Sequence, residues 1–120
     1  MDIEKLQSLC LSLPGTSEGI KYGDQLCFMD AGKVFCSSNV KELTKVNFKV
    51  PDEQFDELCD RPGIKAAPYG GAKFNWVQIA DFDVLSNQEW EHYVLQAHEA
   101  VKAKLPKKVR ETLSGIMNRQ

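Results

Sequence analysis

The chain has no apolar run approaching the roughly eighteen residues that would cross a membrane, and its opening, MDIEKL, lacks the basic-then-apolar order of an export signal. A soluble, cytoplasmic protein without membrane contact is expected. Low-complexity tracts are absent as well. With 120 residues and 42% hydrophobic content there is enough chain for one core but not for two, so residues 1–120 read as a single domain. Histidine is scarce: His92 and His98 are the only two, and on what reads as one helix they fall about 120° apart around its axis, so they cannot jointly bind a metal from one face. No serine stands in a nucleophile elbow, no cysteine has a histidine near it in sequence, and Gly70 and Gly71 lack the spacing and lysine of a phosphate loop. No enzyme, cofactor or metal site is therefore expected.

Cysteine pairs at zinc-knuckle or redox spacing are also missing, because Cys10, Cys27, Cys36 and Cys59 lie far apart; free, mostly buried thiols are expected. The strong positive excess of a typical nucleic-acid binder is missing too, since the net charge is −2 and the sequence pI about 5.7. That average conceals a pattern. Residues 33–50 and 61–80 each carry +3, whereas 51–60 and 81–100 each carry −5. Acidic helices alternating with basic strands for solubility account for this. Two basic strand segments meeting on one side would also make a local positive face that attracts anions.

The elements follow from periodicity. Ile3, Leu6, Cys10 and Leu13 recur at helical spacing before Pro14 and Gly15, which predicts a helix over 2–12. Residues 15–24 read as a loop. A hairpin over 26–38 folds about Ala31 and Gly32, and a symmetric turn there sets Cys27 opposite Cys36. Both of its faces are apolar, which permits a weak homodimer as well as a monomer. Residues 44–50 alternate, with Val46, Phe48 and Val50 inward and Lys45, Asn47 and Lys49 outward. Pro51, Asp52 and Glu53 start a short helix that buries Phe55, Leu58 and Cys59 and exposes an acidic face. A short extended piece at 64–67 and an irregular loop at 68–71 precede a strand over 75–80, where Val77 and Ile79 face the core and Trp76 and Gln78 face away. Ser86 and Glu89 form a capping box for a long helix reaching about Leu105, with Trp90, Tyr93, Val94, Ala97 and Val101 in its buried stripe and both histidines at its surface or boundary. Pro106 starts a terminal helix with Val109, Leu113 and Ile116 on its apolar side. The sum is an α+β fold in two layers, an antiparallel sheet with helices mainly on one face.

Several stretches share an order with a known family. LSLPG at 11–15, PGI at 62–64, the loop at 68–73 leading into Asn75, Trp76 and Val77, the capped long helix, and KLP at 104–106 together resemble the MmcQ/YjbR family over nearly the whole chain. The resemblance implies a two-layer α/β fold of the bacterial frataxin (CyaY) type and a DNA-binding protein with a double-wing arrangement. It places the tryptophan of the family's strand motif on Trp76 and the preceding basic residue on Lys73. Two positions depart from the pattern: Asn75 stands where histidine or lysine is frequent, and Tyr69, Gly70, Gly71 and Ala72 fill a loop that often holds bulkier residues.

The residues suit such a role on their own chemistry. Lys45, Asn47 and Lys49 on one outer strand face, Lys65 and Lys73 around the second strand pair, and Tyr69 and Trp76 as aromatic surfaces combine phosphate contact with base stacking. DNA is the expected partner. The alternative is a small-molecule or protein-binding module without catalysis, in which Trp76 and Tyr69 line an apolar groove. Iron handling of the frataxin kind fares worst, because Asp2 and Glu4 are too few carboxylates for a cation ridge on the first helix.

Overall fold

The computed structural model describes residues 1–68 and 70–110. Helix α1 (Ile3–Ser12) begins where Asp2, extended and outside the helix, accepts a hydrogen bond from the Lys5 amide at 2.8 Å. It ends where the Thr16 hydroxyl donates to the carbonyls of Cys10 and Leu13. Strands β1 (Thr16–Lys21), β2 (Gln25–Asp30), β3 (Lys33–Asn39) and β4 (Glu42–Lys49) follow, then helix α2 (Asp52–Cys59), β5 (Ile64–Ala66), β6 (Trp76–Ile79) and helix α3 (Asn87–Ala103). The six strands form one sheet in the order β1-β2-β3-β4-β6-β5, antiparallel at every pairing. Leu6 and Cys10 of α1, Leu58 of α2, and Trp90, Val94 and Ala97 of α3 join the inward residues of the sheet in a single core, so all three helices cover the same face. The opposite face is open. Among the described residues no helix is long and apolar enough to cross a membrane.

The expected alternation of β4 holds: Val46 and Phe48 are fully buried, and Val77 and Ile79 of β6 are equally so. Trp90 anchors this core. Its indole donates to the Phe82 carbonyl at 2.8 Å and meets the Phe48 ring edge-on at 6.1 Å. The capping box of α3 forms as expected, and Glu89 also takes Arg61 at 2.7 Å. That guanidinium, together with the Ser86 amide, holds the Glu89 carboxyl at about 2, far below the usual carboxylate range.

Three expectations need correcting. Residues 15–24 are not all loop, because β1 pairs with β2 along its whole length. Its one large apolar residue, Ile20, is 58% exposed, so this edge strand is held by its backbone ladder and not by an apolar stripe. Cys27 does not oppose Cys36. The turn is centred on Ala31 and Gly32 as expected, both left-handed (φ 48° and 82°), but a bulge follows it. Met29 faces Val34 while Phe28 faces Cys36, so Phe35 is an additional residue and Cys27 meets Ser37. Cys36 instead lies in the core, where a hydrogen bond with the Cys10 thiol, and then burial, raises its thiol well above the ordinary range. All four cysteines are free thiols. Finally, His98 is not at a boundary: it is 1% exposed and its Nδ1 lies 2.8 Å from Oδ2 of the fully buried Asp30. The terminal helix expected from Pro106, with Leu113 and Ile116, lies mostly outside the described residues.

Candidate functional site

The open face of the sheet is a trough of about 910 Å³. Its floor is one cross-strand row. Lys65 of β5 faces Gln78 of β6, Gln78 faces Asn47 of β4, Asn47 faces Ser37 of β3, Ser37 faces Cys27 of β2, and Cys27 faces Gly19 of β1. Because side chains alternate along each strand, all of these lie on the side away from the helices. The middle of the row is bonded into a ladder: Gln78 Nε2 donates to Asn47 Oδ1 at 3.2 Å, and Asn47 Nδ2 donates to Ser37 Oγ at 3.3 Å. At the edge of the floor Cys27 is almost completely buried, and that burial pushes its thiol up despite the nearby Lys21 ammonium.

Aromatic rings stand along the rim. Trp76, half-buried, follows two residues before Gln78 on the same face of β6; Phe74 is 57% exposed and Tyr22 is 83% exposed. The backbone is built to place them. A short 3-10 turn (Gly71–Phe74) lies directly against β6, and a Cβ on Gly71 would come within 2.7 Å of the Ala67 Cβ and 3.2 Å of the Trp76 carbonyl oxygen. Asn75 then takes a left-handed conformation (φ 60°), donates its side-chain amide to Asp52, and returns the chain into β6.

Of the residues singled out in the sequence, Lys45, Asn47, Lys65 and Trp76 line the trough together. Lys45 is paired with Glu42 at 2.9 Å, which offsets part of its charge, whereas Lys65 is exposed and has no acidic partner among the described residues. Lys73 is outside the lining, with its ammonium 5.6 Å from the centre of the Phe74 ring. Lys49 is also outside. It sits opposite Trp76 in the ladder, and the neighbouring Lys104 just past α3, followed by burial, holds its ammonium below the ordinary lysine range while Asp52 acts the other way. Tyr69 lies outside the described residues.

Sequence reasoning missed Ser37, Phe74 and Tyr22 as parts of this surface. Ser37 reaches the floor only through the bulge at Phe35. Phe74 follows a glycine pair and carries no periodic signal, although an aromatic residue in a glycine-rich loop beside a strand tryptophan was the available cue. A floor of fixed amides, flat aromatic surfaces at its edge and a free ammonium at one end suit a planar, polar ligand that carries negative charge. The lining contains no histidine. Among the described residues no cluster of His, Cys, Asp or Glu is arranged to hold a metal ion.

Comparison with known proteins agrees with this architecture. The family described as YjbR matches residues 11–100. Among solved structures, the crystal structure of Deinococcus radiodurans protein DR2400, with its DUF419 domain, superposes with a TM-score of 0.82 at 20% identity, covering 94% of this chain and 88% of that one. A likeness at that identity shows the shared fold. No curated protein matches the sequence.

Proposed function

The chain belongs to the YjbR family, and from that membership we propose that it binds DNA, without catalysis, through the open face of its sheet. One observation carries the reading: Trp76 shares a single solvent-facing trough with Lys45 and Lys65, which come from strands on either side of β6. The indole offers a stacking surface and the ammonium groups reach phosphate oxygens, while Lys73, outside the lining and beside Phe74, adds a further cation. The slightly acidic whole does not oppose this, because the acidic runs at 51–60 and 81–100 belong to the helical layer behind the sheet.

Salt dependence tests it. With about three phosphates engaged, affinity is expected to fall between about 50 and 200 mM salt by roughly fortyfold for duplex DNA and roughly twentyfold for a single strand. The titration is followed by tryptophan fluorescence, in which Trp76 responds and the fully buried Trp90 does not. Absent binding, or binding indifferent to salt, overturns the reading. Indifference would favour an uncharged ligand in the aromatic groove, a second reading supported by the Lys45–Glu42 pair and by Asp24 in the lining.

A further inference from the structure

The geometry points to a more specific ligand: we infer that the trough holds one unpaired base of a single-stranded nucleic acid, with its edge read by the Gln78–Asn47–Ser37 ladder and its face stacked on Trp76. This rests on the nucleic-acid reading and adds which form of the polymer is bound. A duplex keeps its base edges inside grooves, which are read by a protruding helix or ribbon. Here the hydrogen-bonding groups are recessed: Ser37 is only 8% exposed on the floor, while Tyr22 and Phe74 stand exposed at the rim. The convex backbone of a duplex cannot bring its bases down to that floor. A base swung out of a single strand can, and a sheet face bearing aromatic side chains is a common platform for such bases.

The ladder also has a direction. Each amide donates to the next residue, from Gln78 to Asn47 and from Asn47 to Ser37. Both amide planes are thereby fixed before any ligand arrives. Among the described residues Gln78 Oε1 has no partner, and each amide nitrogen keeps a second proton, so an acceptor and donors stand side by side. That pairing matches the donor-and-acceptor edge of a base, as in bidentate recognition by Asn or Gln. Residues two apart on a strand are about 7 Å from each other on the same face, so stacking on Trp76 and edge contact at Gln78 fall within one nucleotide. Lys65, directly across from Gln78, lies at the end of the row for the adjoining phosphate.

The test uses the full chain and three probes of equal length: a single-stranded oligodeoxynucleotide, its duplex, and an abasic deoxyribose-phosphate strand. The single strand is expected to bind roughly tenfold or more tightly than either of the others. Gln78→Leu and Asn47→Ala are each expected to weaken that binding by about five- to tenfold without changing its salt slope, since neither removes a cation. Equal affinity for the duplex or the abasic strand overturns base reading and leaves DNA binding standing. So does full affinity in both variants. Gln78 is half-exposed, so its variant remains informative if Asn47→Ala fails to fold. Binding to none of the probes removes the nucleic-acid reading itself, and this inference with it.

Discussion

His98→Ala is expected to destabilise the protein by about 3 kcal/mol, measured as a fall in the urea midpoint at an unchanged slope. The ring is 1% exposed and packs edge-on against Phe35 at 5.4 Å, so truncation leaves a cavity in the interior. More important is what is left behind. Asp30 is fully buried, its Oδ1 already has no hydrogen-bond partner, and His98 Nδ1 holds the other oxygen at 2.8 Å. Without the imidazole both carboxylate oxygens stand unpartnered in the interior, and burial without partners is the costly case. Asp30 precedes the turn of the β2–β3 hairpin and His98 belongs to α3, so the pair ties the two layers together where the chain reverses. Asp30→Ala combined with His98→Ala should cost less than the sum of the single losses by more than about 1 kcal/mol, as expected for groups in direct contact. Additive losses, or a single loss below about 1 kcal/mol, would show that the contact is not structural.

The second large effect is on binding. Trp76→Ala is expected to lower affinity for a single-stranded oligonucleotide by between about five- and a hundredfold, the range for losing one stacked base. Stability should change little, because the indole is half-buried on the open face and does not belong to the core cluster. Trp76→Phe should keep much of the affinity, since a smaller flat ring still stacks. Trp90 is its internal contrast: fully buried against Phe48 and Phe82, it contributes to folding and not to the surface. Unchanged affinity in Trp76→Ala would mean that ligands are held elsewhere.

How far these residues were legible in the sequence depends on the range over which each is determined. Alternation in β4 and β6 is local, so Val46, Phe48, Val77 and Ile79 could be placed inward and Lys45, Asn47, Trp76 and Gln78 outward from spacing alone. The capping box of α3 is equally local, being made by Ser86 and Glu89 three positions apart. Features set by distant partners were not legible. Strand β1 has no apolar stripe and exists because β2 offers it a ladder. The bulge at Phe35 shifts the β2–β3 register, and with it the position of Ser37 on the floor. His98 looked like a polar residue beside the helical stripe until Asp30, 68 positions earlier, supplied its partner. Lys49 obeys the strand alternation in sequence, yet it is outside the trough lining, with Lys104, far away in the chain, as its neighbour. The ladder itself requires β3, β4 and β6 in register, which no local pattern specifies.

Residue-resolved amide shifts, recorded while a short single-stranded oligonucleotide is added to the intact protein, test the central claim most directly. The account predicts perturbations concentrated on Lys45, Asn47, Lys65, Trp76 and Gln78, with α1, α2 and α3 nearly silent. Shifts centred on the helices, or spread evenly over both layers, would contradict it.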